Sequence, residues 1–146
     1  VVRELTGHEP DLVVDLGAVG PALLDWSSTE VADLVTAVAD AELVVVASPT
    51  FKATYSGLLK LFLDRFAAGQ IQGVVVPLML GAGPGHELAA ELTLRPLLSH
   101  LGGTIPTTAL YVLDAQHDDP TAYDEWLRTA RPVVTALVPH LQGVSA

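Results

Sequence analysis

The residues best equipped for chemistry lie in 48–56, Ser-Pro-Thr-Phe-Lys-Ala-Thr-Tyr-Ser, directly after the aliphatic run Leu-Val-Val-Val at 43–46. The segment joins a proline, an aromatic ring, a cation and several hydroxyls. In open parallel sheets ligands gather outside the carboxyl ends of the strands, so a loop in this place is the first to consider for binding. Pro49 fixes its path, Phe51 offers a ring for stacking or edge contact, and Lys52 can attract negative charge. The amides of Thr50 to Ala53 are expected to be free donors, because a loop leaves them unpaired. A second loop, Gly81-Ala82-Gly83-Pro84-Gly85, follows the aliphatic run 73–80 (GVVVPLML). Its glycines let the backbone approach a ligand closely, and His86 stands next to it. Two such loops suit a flat, anionic ligand.

Elements that hold the loops in place can be read from pattern. Residues 1–5 resemble the last turn of a helix closed by Gly7. Residues 11–16 (DLVVDL), 43–46, 73–80 and 107–113 read as strands. Continuous aliphatic runs suit parallel strands covered on both faces. Residues 17–28 read as a Gly- and Pro-containing loop anchored by Leu23, Leu24 and Trp26. Ser28 or Thr29 caps a helix over 30–40, with Val31, Leu34, Val35 and Val38 on one face. Ser56 caps the next helix, which carries Leu58, Leu59, Leu61, Phe62 and Leu63. Helices are also expected over 87–101, kinked by Pro96, and over 121–141, strained by Pro132. The alternation of strands and helices gives one α/β domain with a parallel sheet.

Composition narrows the chemistry. The 146 residues hold 17 acids against seven Lys and Arg, for a net charge of −10. That balance disfavours nucleic acid and anionic membrane surfaces, both of which call for clustered cations. Cysteine is absent, which excludes disulfides, thiolate catalysis and cysteine-held metals. Electron transfer would therefore need a bound cofactor. No apolar run nears the ~20 residues of a membrane span, and no signal peptide is visible, so a cytoplasmic setting is expected.

Segment 48–64, with Ser48-Pro49-Thr50-Phe51-Lys52, Ser56-Gly57, Leu59-Lys60 and Leu63-Asp64, resembles the signature of the NADPH-dependent FMN reductase family. It is most similar to members that supply reduced flavin to two-component alkanesulfonate-type monooxygenases. Gly81, Gly83, His86, Leu88 and 94–98 (LRPLL) form a second match. The resemblance implies a flavodoxin-like, doubly wound parallel sheet of order 2-1-3-4-5. It implies FMN and NADPH (or NADH) as ligands, with hydride passing from nicotinamide to flavin N5 and no side chain acting as acid or base. Flavin contacts would come from Pro49, Thr50, Phe51, Lys52, Gly81, Ala82, Gly83 and His86. Homodimers or homotetramers would form through the helix at 56–66, and a flavin-dependent monooxygenase would be a partner. In the order 2-1-3-4-5, residues 11–16 would be strand 2 and 43–46 strand 3. Strand 1 belongs between them and is missing, so roughly 30 further residues are expected ahead of Val1. The family's Ser/Thr-rich flavin phosphate loop, which follows strand 1, has no counterpart here. Either it lies upstream or the protein does not bind FMN. Where Phe51 stands the family usually has Tyr or another large residue, and the aromatic found in some relatives is absent near Leu92.

Plainer roles stand beside these. Phe51 could cover the end of the sheet as a core residue, Lys52 could be a solvated loop lysine, and His86 could simply open a helix. Lys60 and Asp64 have the spacing of a surface pair. Asp114, Asp118 and Asp119 suit a polar loop better than a metal site, and the histidines at 8, 100, 117 and 140 lack ligand spacing. No Gly-x-Ser-x-Gly elbow supports a hydrolase. The functional alternatives are a quinone, azo-dye or chromate reductase that retains FMN, and a non-catalytic flavodoxin-like binding or electron-carrier protein.

Overall fold

The structure is a computed structural model that describes residues 1–119 and 121–138. Three parallel strands, β1 (Leu43–Pro49), β2 (Val74–Gly81) and β3 (Leu110–Leu113), form a sheet in the order β1-β2-β3. The register runs from Leu43 opposite Val74 to Pro49 opposite Leu80, and from Leu78 opposite Leu110 to Gly81 opposite Leu113. β2 is buried along nearly its whole length, as its unbroken aliphatic sequence requires.

Helices cover both faces of the sheet, and the period-2 alternation of strand side chains sorts the core between them. Val75 and Met79 point to one face, where they meet Val31 and Val35 of α3 (Thr29–Ala39). Leu59, Phe62 and Leu63 of α4 (Gly57–Leu63) pack there too, with Leu98 of α5 (Arg95–His100). Val74 and Val76 point to the other face. There they meet Leu5 of a short helix, α1 (Val2–Thr6), and Leu127, Ala130 and Val134 of the closing helix (Asp124–Leu137). This is a doubly wound α/β sheet. No helix among the described residues is long and apolar enough to cross a membrane.

The caps form as the sequence indicates. Ser28 accepts from the Val31 amide and Ser56 from the Leu59 amide, while Gly7 closes the first helix at φ 80°. Lys60 and Asp64 pair on the surface. Other expectations are corrected. Residues 11–16 form no strand: 12–15 have no regular structure, and Leu16 opens a four-residue helix, α2 (Leu16–Val19). The β-branched run favours a strand only where a neighbour offers a hydrogen-bonding edge, and Leu12 to Val14 make no backbone bond to any described residue. Leu12 and Val13 are instead 50% and 76% exposed. The expected loop at 17–28 holds α2 and a 3₁₀ segment, Gly20–Leu24. Leu23 is its buried anchor, whereas Leu24 and Trp26 are exposed. Trp26 lies against the guanidinium of Arg65, 4.8 Å from its ring centre.

The helix expected over 87–101 begins later, as a π-helical turn (Ala90–Leu94) running into α5. Pro96 follows that wide turn. A π turn relaxes the clash between a proline ring and the carbonyl four residues earlier, so helical structure carries on through Pro96 to His100. The last strand starts at Leu110 rather than at 107. Completing the labels in chain order, the closing helix is α6; it starts at Asp124, and its expected end near 141 lies outside the described residues, as does His140.

Candidate functional site

The two candidate loops emerge side by side, because β1 and β2 are neighbours and parallel. The first is clamped at its base by Ser48, which is almost fully buried. Its hydroxyl accepts from the Ser56 amide (2.9 Å) and donates to the Pro49 carbonyl (2.9 Å), joining the end of the strand to the cap of α4. Within the clamp, Phe51 and Thr54 exchange backbone hydrogen bonds of 2.9 and 3.2 Å. Lys52 and Ala53 form the tip, at φ 53° and 64°. Positive φ at both central residues is the sign pattern of a type I′ turn, ordinarily met by Asn or Gly. Holding two L-residues there costs about 1–2 kcal/mol each.

This geometry corrects the expectation that all amides from Thr50 to Ala53 are free. The Thr50 amide donates to Leu80 O at 2.7 Å, which extends the ladder by one step, and the Phe51 amide is used inside the turn. Only Lys52 and Ala53 keep amides with no partner among the described residues. Phe51 is 62% exposed, so it does not act as a core cover. Lys52 is exposed as well. Thr50 Oγ1 is buried and has no hydrogen-bond partner among the described residues. An orphaned hydroxyl of this kind costs about 1–3 kcal/mol, so something polar is owed to the base of the loop.

The second loop leaves β2 at Gly81. Ala82 and Gly83 have amides without partners among the described residues, and Pro84–His86 form a 3₁₀ turn. Pattern reading missed Tyr111 of β3. Its hydroxyl donates to Gly83 O at 2.8 Å and so fixes the direction of the loop. The ring passes directly over Gly81, where an added Cβ would lie 2.0 Å from the phenolic oxygen. Gly81 is therefore a glycine for close approach by the protein's own tyrosine. Gly83 and Gly85 face open space, with nothing within 4 Å of an added Cβ. His86 is exposed at the end of its turn. One signal for Tyr111 was available: an aromatic hydroxyl on the strand beside a glycine at a loop entrance.

The eight residues singled out from sequence thus lie on two adjacent rims at one end of the sheet. The rims present unpaired amides (52–53 and 82–83), an exposed ring and a single cation, and Gly83 and Gly85 leave the second rim open. Those donors suit a flat ligand with acceptor atoms along its edge.

Comparison with known proteins decides the family. The model for NADPH-dependent FMN reductases matches residues 1–118. The chain belongs to that family. An FMN reductase (NADPH) of Escherichia coli K12 is 46% identical over 59 residues, covering 40% of this chain and 31% of the relative. A second FMN reductase (NADPH), from Pseudomonas putida, is 32% identical over 97 residues, covering 66% and 47%. The chain thus spans less than half the length of these two reductases. Among solved structures, the apo form of an NADH:FMN oxidoreductase (EMOB) superposes with a TM-score of 0.76 at 26% identity, covering 85% of this chain and 70% of the other. Within the FMN reductase family fold, the two rims of this chain sit where open α/β sheets take their ligands.

Proposed function

We propose that the protein catalyses reduction of FMN by NADPH or NADH, with FMN held between the 49–53 and 81–86 rims. The observation that carries this reading is the pair of unbonded amide rows, at Lys52 and Ala53 and at Ala82 and Gly83, on neighbouring strands' carboxyl ends. FMN supplies the electron-accepting ring, and the overall balance is NAD(P)H, FMN and a proton giving NAD(P)⁺ and FMNH₂. The protein's own part is to orient and to polarise. Phe51 and the Pro49 backbone wall the ring, and Thr50 Oγ1 gains a partner at the loop base. The amides aim partial positive charge at the ring edge, where negative charge grows on reduction, and Lys52 adds a full charge. His86 closes the far end of the site. Nothing in this scheme needs a side chain to move a proton.

Both nicotinamides are compatible, since the relatives' names include NADPH- and NADH-dependent enzymes. Released FMNH₂ would pass to a flavin-dependent monooxygenase. A homodimer or homotetramer would use the outer face of α4, where Leu58 and Leu61 are exposed. The test is nicotinamide oxidation on adding FMN, with flavin fluorescence read in parallel. Oxidation that depends on FMN, with FMN affinity lost in Gly83→Val, supports the reading. A protein that neither quenches FMN fluorescence nor oxidises either nicotinamide refutes it.

A further inference from the structure

The chain that becomes β3 does not keep step with β2. Val74 bridges Thr104, yet Leu78 already stands opposite Leu110, so three residues of β2 (75–77) face five of the neighbouring chain (105–109). The cause lies in β2. Val74 donates to Glu42 O beside β1 and Val75 donates to Thr104 O on the other side, so odd-numbered residues of β2 direct their backbone groups at β3. Pro77 is odd-numbered, fully buried and without an amide. A ladder cannot close on it, and the neighbouring chain bows away, as at a β-bulge.

The bow leaves backbone groups that a regular strand would have paired, and side chains take them up. Arg95 forks across it, its guanidinium donating to Ile105 O at 3.0 Å and to Thr107 O. Glu91, one helical turn earlier, accepts from the Ala109 amide at 2.8 Å and holds Arg95 Nε at 3.3 Å. Thr108 O turns to α6 and accepts from Trp126 Nε1 at 2.9 Å. Glu91 and Arg95 are both half-buried, and both belong to the helical stretch that follows the second rim.

The bow decides where Tyr111 falls. Without it, the pairing begun at Thr104 would set Tyr111 opposite Gly81 instead of Met79. That slip is two residues, about 6.6 Å of strand, and would carry the phenol off Gly83 O. A slip of two leaves every β3 side chain on its own face, so burial alone does not forbid it. We propose that Glu91 and Arg95 are positioning residues for the second rim. By capping the bow they fix the β2–β3 register that sets Tyr111 against Gly83, and through it the rim's fit to FMN. The fit to FMN rests on the proposed seat of the flavin; the register does not.

Two readouts on folded protein test this. One is the carbon resonance of Tyr111 Cζ, which reports the hydrogen bond at the hydroxyl; the other is FMN affinity from fluorescence quenching. Arg95→Lys keeps the charge but loses the fork across two carbonyls. Glu91→Ala frees the Ala109 amide, whereas Glu91→Gln keeps an acceptor for it. Leu127→Ala, buried on the α6 face, controls for destabilisation alone. Arg95→Lys and Glu91→Ala should each move the Tyr111 signal toward its unfolded-chain value. Each should also weaken FMN binding about three- to tenfold, the weight of one hydrogen bond, while kcat changes less than about twofold. Glu91→Gln should keep both readouts near wild type, and Leu127→Ala should leave both unmoved. Adding Arg95→Lys to Tyr111→Phe should weaken FMN no further than Tyr111→Phe alone. A Tyr111 signal unmoved in Arg95→Lys and Glu91→Ala overturns the proposal, as does one that moves equally in Leu127→Ala. Losses that multiply with Tyr111→Phe overturn it too. If Glu91→Ala does not fold, Arg95→Lys decides. A wild type that binds no FMN while the Tyr111 signal moves as expected overturns the proposed function and leaves the register clamp standing.

Discussion

Replacing Gly81 by alanine tests how the second rim is held. The new methyl would sit 2.0 Å from the Tyr111 hydroxyl oxygen and 2.9 Å from Cζ. Comfortable contacts lie near ~3.5–4.0 Å, so the ring must retreat by about 1.5 Å. It cannot do so and keep its 2.8 Å bond to Gly83 O. Overpacking costs about 1–3 kcal/mol and the lost hydrogen bond about 0.5–1.5, so Gly81→Ala should destabilise by roughly 2–4 kcal/mol. Tyr111→Phe alone removes only the hydrogen bond and should cost about 0.5–1.5 kcal/mol. In the double variant the worst contact has gone, so the combined loss should fall short of the sum by about 1 kcal/mol or more. Urea unfolding of the four proteins, compared by midpoint at common slope, measures all three quantities. A Gly81→Ala cost below ~0.5 kcal/mol, or strict additivity, would refute the packing argument.

Further outcomes follow from other parts of the molecule. Ala53→Gly relieves a positive φ and should stabilise by about 0.5–1 kcal/mol net of chain entropy, read as a raised urea midpoint. Leu98→Ala, at a fully buried position, should cost about 2–5 kcal/mol by the same assay. Ser56→Ala removes the cap of α4 and should cost about 1 kcal/mol, with faster exchange of the Leu59 amide. Asp25 accepts from the Ser27 hydroxyl and amide, which lowers its pKa below the ordinary carboxylate value, with a lesser push from Arg65. A depressed folded pKa stabilises above the unfolded value, and that contribution disappears as pH falls through the folded one. Carbon-detected titration should therefore find Asp25 below the usual range, and Ser27→Ala should move it partly back up. An unmoved Asp25 would show that the hydroxyl bond does not persist in solution.

Much of the architecture was legible because it rests on local rules. Aliphatic runs placed β1 and β2, and Ser28, Ser56 and Gly7 marked helix ends through hydrogen bonds confined to a single turn of chain. The unread parts depend on partners distant in sequence. Residues 11–16 have the composition of a strand, but a strand exists only where another edge meets it. The Thr50 amide looked free until β2 supplied Leu80 as its acceptor. Tyr111 reaches back 28 residues to Gly83, a contact no periodicity reveals. The wide turn before Pro96 reflects competition between proline sterics and the burial of Leu94 and Leu98, which only the packed helix resolves.

The turn at Lys52 and Ala53 has a further consequence, for how the molecule comes apart. Its backbone sits uphill of relaxed chain, while the Ser48 clamp behind it is buried and doubly bonded. Opening at the tip releases strain; opening at the clamp exposes unpaired groups. Breathing should therefore begin at 51–54 and stop at Ser48, leaving a short exposed bight as the preferred point of first proteolytic nicking. A group bound across the rim would seal that bight, so resistance to limited proteolysis would report occupancy without any measurement of turnover.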